Sequence, residues 1–243
     1  MMHFFRSSSE IRRKLVYAGE ALLELFYPNL CMVCGARSHS KEEIFCFKCQ
    51  ALSSPTSLHL HLENEFTGHF KGRVNILTGA SLYYYVPDGL AHKILELIKY
   101  RNKPELAEGL GQYYGKILSD VPCYREIDLV IPVPLHPKRE LLRGYNQSLL
   151  FGRAIAKELN AEIIHNVLIR SSNTNTQTEM DRFRRNENMR NVFKLVNPDS
   201  IRQKNILLVD DVLTTGATLE SCAIELLKGS PKSLCMATVA MGR

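Results

Sequence analysis

From residue 74 onward, short apolar runs alternate with segments whose apolar positions recur every three or four residues. Apolar runs rich in β-branched residues predict buried strands, and the three-to-four spacing predicts amphipathic helices. The predicted strands are residues 76–86, 128–133, 166–170, 205–209 and 233–240. The predicted helices are residues 88–100, 105–119, 146–159 and 217–228. Strands separated by helices indicate an α/β fold, in which helices flank a buried parallel sheet.

The first 28 residues carry a helical pattern of their own. Ser7 and Glu10 have the spacing of a capping box, and Pro28 supplies a stop. Between them, apolar residues recur at helical spacing at Ile11, Leu15, Ala18, Leu22 and Leu25. The pattern predicts an amphipathic helix over residues 8–26, and we expect its apolar stripe to pack on the protein rather than on a lipid surface.

Export and membrane signals are not recognisable in the sequence. Charged residues interrupt the N-terminal apolar pattern, so it lacks the hydrophobic centre of a secretory signal. No apolar stretch is long enough to cross a bilayer. The sequence therefore predicts a cytoplasmic protein with no membrane span.

Four of the seven cysteines form two pairs with the same spacing, Cys31-x2-Cys34 and Cys46-x2-Cys49. Four thiolates can close a tetrahedral shell around Zn²⁺ and leave no open position, which is typical of a structural metal site. The alternative is a small hydrophobic cluster of reduced thiols, but the residues between the pairs are too polar to form a core without metal. His39 lies between the pairs and is expected to be exposed, and the other three cysteines are expected to be ordinary buried thiols.

These patterns divide the chain into three parts. The N-terminal helix takes residues 1–28, the cysteine module takes residues 29–55, and the α/β domain takes residues 73–243. Residues 51–73 are a mixed stretch of Ser, His and Gly, which is typical either of a linker or of an irregular edge of the domain.

Charge adds a preference for anionic partners. With 31 Lys and Arg against 25 Asp and Glu, the formal charge is +6, which favours nucleic acid or phosphorylated small molecules. Residues 181–190 concentrate four arginines, Arg182, Arg184, Arg185 and Arg190, as a candidate nucleic-acid contact or as a solvated loop. Tyr83, Tyr84 and Tyr85 are able to stack on bases if exposed, although an alternation of core and surface positions is the better expectation.

The clearest chemical signal is "NILLVDDVLTTGATLESC", residues 205–222. Asp210 and Asp211 follow a predicted strand, at the edge of an α/β sheet where ligands bind. Gly216 and the small Ala217 allow an anion to approach the backbone at the start of the next helix. The two carboxylates can accept hydrogen bonds from vicinal hydroxyls or bind Mg²⁺, so a phosphorylated sugar fits the stretch.

Alternative interpretations of this stretch fit less well. Two adjacent acids beside a phosphate-sized loop exceed what helix capping requires. A nucleotide site of the P-loop or dinucleotide-binding type would need a glycine pattern that "GLGQYYGKI", residues 109–117, does not provide. Separately, Lys138, Arg139 and Arg143 follow the strand predicted at residues 128–133, and cations at a strand end suit a pyrophosphate group.

Residues 206–218, "ILLVDDVLTTGAT", closely resemble the 5-phosphoribosyl-1-pyrophosphate (PRPP) signature of type I phosphoribosyltransferases. The resemblance implies that Asp210 and Asp211 hold the ribose 2′ and 3′ hydroxyls. It also implies that Thr214, Thr215, Gly216, Ala217 and Thr218 cradle the 5′-phosphate.

Over almost its full length the sequence resembles the ComF family. The matching stretches are "FYPNLCMVCG" (26–35), "LELIKYRNKPELAEGLG" (95–111), residues 131–148, "TQTEMDRFRRNENMRNVF" (176–193) and the PRPP signature. The resemblance implies an N-terminal helix, a structural Zn²⁺ module and a type I phosphoribosyltransferase-like domain that binds PRPP with Mg²⁺. It further implies an association with natural transformation, in which single-stranded DNA and other DNA-uptake proteins are partners.

Two functions are consistent with this resemblance. In the first, the protein is a phosphoribosyltransferase in which Asp210 and Asp211 hold PRPP while Arg143 stabilises the departing pyrophosphate, and Lys138 and Arg139 add to PRPP binding. In the second, it is a DNA-handling module that uses the ligand site for regulation or not at all. The sequence favours a PRPP-binding, transferase-like protein that serves DNA uptake, and a transferase of nucleobase metabolism is the alternative.

Overall fold

The computed structural model describes residues 12, 28–38, 44–170 and 192–242. The predicted helix over residues 8–26, apart from residue 12, and the arginine-rich residues 181–190 lie outside the described residues, as does His39. The chain separates into two compact units, Met1–Leu52 and Ser53–Arg243.

The described part of the first unit is built from two tight turns. Residues Leu30 and Arg37 form an antiparallel bridge that closes the first turn, in which Gly35 has a φ of 70°. A short helix, α1, spans Phe47–Gln50 and completes the second turn. This local structure brings the two cysteine pairs together.

The second unit contains a five-stranded sheet that is parallel throughout, with the strand order β1-β7-β6-β2-β3. Its strands are β1 (Thr78–Tyr84), β2 (Leu129–Pro132), β3 (Glu162–Ile163), β6 (Asn205–Leu213) and β7 (Ser233–Met241). A separate antiparallel pair is formed by β4 (Leu168–Arg170) and β5 (Phe193–Leu195). The predicted parallel α/β sheet is confirmed.

The helices of this unit are α2 (Glu65–Gly68), α3 (Leu90–Tyr100), α4 (Pro104–Ser119), α5 (Pro122–Arg125), α6 (Pro137–Arg143), α7 (Gln147–Leu159) and α8 (Ala217–Leu227). Single 3-10 turns lie at Leu58–Leu60 and Pro198–Ile201. In the centre of the sheet, residues 206–209 are fully buried, which explains their uninterrupted apolar run. Among the described residues, no helix is both long enough and apolar enough to cross a membrane.

Residues 53–73 belong to the second unit and line its sheet. Pro55 bridges to Tyr83 on the edge strand β1, and Phe66 and Phe70 are fully buried. In the structure, residues 53–73 thus form an irregular edge of the second unit. Buried aromatic side chains and the polar side chains of Asn64 and Thr56, which donate to the Gly79 and Ser81 carbonyls of β1, together hold the stretch on the sheet.

Candidate functional site

The acid pair lies where strand β2 has ended beside the longer strand β6. Pairing of β2 with β6 stops at Val209, whereas β6 continues beside β7 as far as Leu213. Asp210 and Asp211 follow Val209 directly, so they lie in the strand and not in the loop after it. Within the described residues, no strand pairs with this side of β6 beyond Val209, at the edge of the sheet where α/β proteins bind ligands.

Three side chains from two helices hold the carboxylates. The hydroxyl of Ser148 donates to Oδ1 of Asp210 at 2.9 Å, and Nε2 of Gln147 donates to Oδ2 of Asp211 at 2.8 Å. The ammonium of Lys99 lies 3.0 Å from the same Asp211 oxygen. Each acid is thus fixed by a donor before any ligand binds.

Helix α7 brings two of these donors to the strand end. Asn146 caps the helix by accepting from the backbone N–H of Ser148 at 3.0 Å, and its side chain donates to the carbonyl of Val133 at 3.1 Å. One turn further on, Gly152 packs so closely on β6 that an added Cβ would lie 2.7 Å from a methyl of Val209. The cap and the glycine together set the N-terminus of α7 against the acid pair.

Burial and like charge control the ionisation of the pair. Asp210 and Asp211 are 8% and 7% exposed. Burial, and then the charge of Asp211, raise the pKa of Asp210 to about 7, although the hydrogen bond from Ser148 and the charge of Lys99 act in the opposite direction. Asp210 therefore titrates close to neutral pH, which is unusual for a carboxyl group and is typical of functional sites.

The predicted phosphate loop leads into helix α8. Gly216 has a φ of 81°, a left-handed conformation that other residues rarely adopt, and it is the N-cap of the helix. Gly216 is buried and Ala217 half-buried, whereas Thr214, Thr215 and Thr218 are exposed. The loop therefore offers hydroxyl groups and backbone N–H groups at the positive end of an 11-residue helix, which suits an anion.

Residues from the irregular edge support this loop. The ring of Phe70 lies directly beneath it, so that a Cβ added to Gly216 would be 3.3 Å from the ring. Arg73 forms an ion pair of 2.7 Å with Glu220 in the first turn of α8. The edge segment therefore fixes both the loop and the helix that follows it.

Of the three predicted cations, the structure connects only Arg143 to the acid pair among the described residues, and it does so through Gln147. All three belong to α6, which was not predicted; its sequence signals are Pro137 in the first turn and a left-handed Gly144 at its end. Arg143 donates to the side-chain oxygen of Gln147, the residue that binds Asp211, and is therefore part of the site. Lys138 and Arg139 are exposed, and the structure does not bring either into contact with the acids.

A further cation approaches the site from strand β4. Burial, and then the charge of Arg139, lower the pKa of Arg170, whereas Cys222 and Asp210 raise it. The Arg170 guanidinium lies 5.5 Å from the centre of the Phe193 ring. Arg170 therefore lies within electrostatic range of Asp210, and Arg139 is a second cation near Arg170.

The four paired cysteines form one cluster in the first unit. The thiol sulfurs of Cys31, Cys34, Cys46 and Cys49 all lie within 4.8 Å of one another, and the Cys34 and Cys46 sulfurs are 3.5 Å apart. Tetrahedral zinc with metal–sulfur bonds of about 2.3 Å would separate its sulfurs by about 3.8 Å. The cluster could thus hold a metal ion.

Backbone groups favour the thiolate form of Cys31, whereas burial and the neighbouring thiols raise the pKa of the Cys49 thiol. Burial raises the pKa of the Cys31 thiol, but hydrogen bonds from the backbone N–H groups of Cys46, Cys34 and Val33 outweigh it and lower the pKa to about 6. Backbone N–H groups that donate to a cysteine sulfur are typical of turns whose thiolates bind a metal ion.

Comparison with known proteins agrees with this geometry. Residues 146–243 match the phosphoribosyl transferase domain family, a span that begins at the cap of α7 and includes the acid pair and the loop. The chain is 27% identical over 194 residues to competence protein ComFC of Bacillus subtilis, covering 79% of this chain and 76% of that protein. It is 30% identical over 130 residues to competence protein F of Haemophilus influenzae, covering 52% of this chain and 57% of that protein.

The chain resembles competence proteins of the ComF type. A third relative, the DNA utilization protein YhgH of Escherichia coli O157:H7, is 29% identical over 141 residues, covering 56% of this chain and 60% of that protein. The matches to competence protein F and to YhgH therefore span less than two thirds of those relatives. The fold of this ComF-like chain is of the phosphoribosyltransferase type, as predicted.

Sequence analysis of this ComF-like protein missed three residues that hold the acids: Lys99, Gln147 and Ser148. All three lie in stretches on which the resemblance to the ComF family was based, "LELIKYRNK" and "RGYNQS", but neither stretch contains a recognisable chemical motif. The local signal that could have pointed to Gln147 and Ser148 was the run Asn146-Gln147-Ser148 shortly after Gly144, which is typical of a helix N-terminus. The predicted Arg182, Arg184, Arg185 and Arg190 lie outside the described residues.

Proposed function

We propose that this ComF-like protein binds PRPP with Mg²⁺ and serves DNA uptake by handling single-stranded DNA in the cytoplasm. The observation that carries the PRPP proposal is the buried acid pair, held by Ser148, Gln147 and Lys99, beside a loop shaped for an anion. Asp210 and Asp211 would accept hydrogen bonds from the ribose hydroxyls. The loop of residues 214–218 would donate to the 5′-phosphate.

Mg²⁺ suits the carboxylate oxygens of the pair, because it prefers oxygen ligands and commonly joins one or two carboxylates to a phosphate-bearing substrate. When bound, Mg²⁺ would neutralise charge on the pyrophosphate. Because Lys99 already pairs with Asp211, we expect Asp210 to be the more available of the two acids for a ligand.

Transfer of the phosphoribosyl group is the catalytic form of the proposal. Arg143 would stabilise the departing pyrophosphate because it reaches the acid pair through Gln147, and Lys138 and Arg139 extend positive charge along the same helix. Electrostatic stabilisation and positioning of this kind need no covalent nucleophile. The acid pair would then take part in catalysis by orienting the ribose.

Zinc is the metal that we propose for the four cysteines of the first unit. Four thiolates within 4.8 Å of one another favour Zn²⁺ in a closed, structural site. No open ligand position would remain for a reacting molecule.

The DNA part of the proposal is supported by the relatives. Two of them bear the name of competence proteins and one is named a DNA utilization protein. The sequence adds a net charge of +6 and the arginines at 182, 184, 185 and 190, which would contact the phosphates of a strand. A protein that binds both PRPP and single-stranded DNA would couple strand handling to nucleotide chemistry.

Calorimetric titration with PRPP and Mg²⁺ tests the ligand site. We expect wild-type protein to bind and the double variant Asp210→Asn, Asp211→Asn to bind at least about tenfold more weakly, because two charge-assisted hydrogen bonds are lost. Asp199→Asn is the matched control, since Asp199 is an exposed acid that pairs only with Arg202. Wild-type affinity in the double variant would show that PRPP binds elsewhere.

Titration with a single-stranded oligonucleotide tests the DNA role. Binding should weaken as the salt concentration rises from about 50 mM to about 200 mM, because cations on the protein replace counterions on the strand. Lack of binding even at the lower salt concentration would remove the DNA role and leave the PRPP proposal standing.

A further inference from the structure

A cavity of about 310 Å³ opens at the end of strand β6, the strand that carries the acid pair. Tyr85, Thr214 and Gly242 line it, and they follow the ends of the neighbouring strands β1, β6 and β7. Parallel neighbours end at the same edge of a sheet, so this cavity lies on the edge that also carries the acids. Its other wall is helix α3.

The residues of α3 that line the cavity share one face of the helix. His92, Leu95 and Lys99 are three, four and seven residues apart, which places them one above the other. Lys99 is also the residue whose ammonium lies 3.0 Å from Asp211. Because Lys99 and Thr214 belong both to the cavity and to the proposed PRPP site, a molecule in the cavity would lie next to the ribose.

The lining suits a flat heteroaromatic ring. The Tyr85 and His92 rings lie 5.7 Å apart at an angle of 33°, and Leu95 and Val212 add apolar surface. Nδ1 of His92 accepts a hydrogen bond from the backbone N–H of Asp88 at 3.0 Å, so the neutral ring carries its proton on Nε2 and can donate from there. Aromatic faces with a few polar edges are typical of sites that bind bases.

The rim of the cavity favours a base that is part of a nucleic-acid strand. Tyr100 lines the cavity yet is 77% exposed, so its ring is free to stack on a second base. Arg101 and Lys103 follow it, and their exposed pairs with Glu96 and Glu105, at 3.9 and 3.5 Å, are too weak to hold the cations against phosphate groups. An exposed aromatic ring flanked by cations is the arrangement that single-stranded nucleic acid requires.

We propose that this cavity binds one base of a single strand of DNA beside the PRPP site, with the next base stacked on Tyr100. The inference rests on the proposed function, and it adds the place at which the strand and the sugar phosphate would meet. Of the three consecutive tyrosines, Tyr85 is the one that lines the cavity, whereas Tyr83 is buried and the Tyr84 hydroxyl donates to Glu65.

The test uses full-length protein and an oligonucleotide of about twelve residues that carries the fluorescent base 2-aminopurine. We expect Tyr100→Ala and Tyr85→Leu each to weaken binding about tenfold, because each removes a stacking surface. Tyr113→Ala is the matched control, since Tyr113 is a tyrosine 46% exposed on α4 that does not line the cavity. Addition of PRPP should change the fluorescence of the bound wild-type complex, because the two ligands share Lys99 and Thr214.

Equal affinities for wild type, Tyr100→Ala and Tyr85→Leu would overturn the inference, as would an equal loss in Tyr113→Ala. If free adenine binds as tightly as the oligonucleotide, the cavity recognises a base alone and not a base within a DNA strand. PRPP binding is measured in parallel on the wild type. Cavity-dependent oligonucleotide binding without PRPP binding would contradict the PRPP proposal alone, and PRPP binding without cavity dependence would contradict this inference alone.

Discussion

At the scale of single residues, the two adjacent carboxylates of the site have different partners. Asp211 lies against the ammonium of Lys99, whereas Asp210 has a hydroxyl as its nearest side-chain donor and the like charge of its neighbour beside it. The sequence predicted both acids and the loop after them, because these residue types are adjacent along the chain. It did not predict Lys99, Gln147 or Ser148 as partners, because contacts between distant segments leave no local pattern.

The raised pKa of Asp210 predicts how stability and PRPP affinity depend on pH. The carboxyl binds its proton more tightly in the folded than in the unfolded chain, so its contribution to stability is full below about pH 4 and is lost as the pH rises through about 7. PRPP affinity should change in the opposite direction and rise roughly tenfold between about pH 6 and about pH 8, because the ionised form accepts the ribose hydroxyls.

Calorimetry across this pH range measures the second effect, and Asp210→Asn separates it from the titration of PRPP itself. The variant should lose the rise in affinity that belongs to the carboxyl. An identical pH profile in wild type and variant would assign the titration to the ligand.

Ser148→Ala gives a finer test at the same scale. The substitution removes a hydrogen bond that lowers the pKa of Asp210, so the midpoint of the affinity profile should move to higher pH. Ser119→Ala is the control, because Ser119 donates only to a carbonyl of its own helix. Coincident midpoints in wild type and Ser148→Ala would mean that the hydroxyl does not tune the acid.

At the scale of elements, most helices and strands lie where the apolar pattern predicted them. The predicted strand at 205–209 is longer in the structure and reaches Leu213, because pairing with β7 continues past the acids even though Asp disfavours strands. Helix α6 escaped prediction because it is short and none of its residues is buried, so it has no apolar periodicity. Residues 53–73 were ambiguous for a similar reason, since their buried apolar residues Leu58, Phe66 and Phe70 are too widely spaced to give a helical or strand pattern.

The packing of Phe70 beneath Gly216 predicts that the irregular edge positions the phosphate loop. Phe70→Leu should lower the free energy of unfolding by about 1–2 kcal/mol and also weaken PRPP binding several-fold, because the ring under the loop is lost. Phe66→Leu is the matched control: this ring is equally buried in the same segment but packs on Gly79.

Chemical denaturation and calorimetry of both variants check this prediction. The two should be destabilised alike, while PRPP affinity falls further in Phe70→Leu. Equal PRPP affinities in the two variants would limit Phe70 to a structural role.

At the scale of the whole molecule, the chain is two compact units whose stability has different sources. The second has a large buried apolar sheet, whereas the described part of the first is held around four thiols. The cysteine spacing was enough to predict the cluster, because two ligands separated by two residues in a turn are close in any fold. The apolar alternation was enough to predict the sheet, and the match to the phosphoribosyl transferase domain family agrees with it.

Metal removal should therefore affect the two units differently. We expect one Zn²⁺ per chain by elemental analysis, and Cys46→Ser should lose it, because a four-ligand shell is broken. A chelator should release the metal and unfold the first unit while the second keeps its cooperative thermal transition. Cys123→Ser is the control thiol outside the cluster; metal loss in this control, or metal retained by Cys46→Ser, would contradict the assignment.

We propose that the turn at residues 214–218 and the acid pair form a single binding site for a phosphorylated pentose. A crystal structure of the protein with PRPP and Mg²⁺ tests it most directly. We expect to find the ribose hydroxyls on Asp210 and Asp211 and the 5′-phosphate against the backbone of residues 214–218. A bound PRPP that lies elsewhere on the protein, with this turn in contact only with solvent, would contradict it.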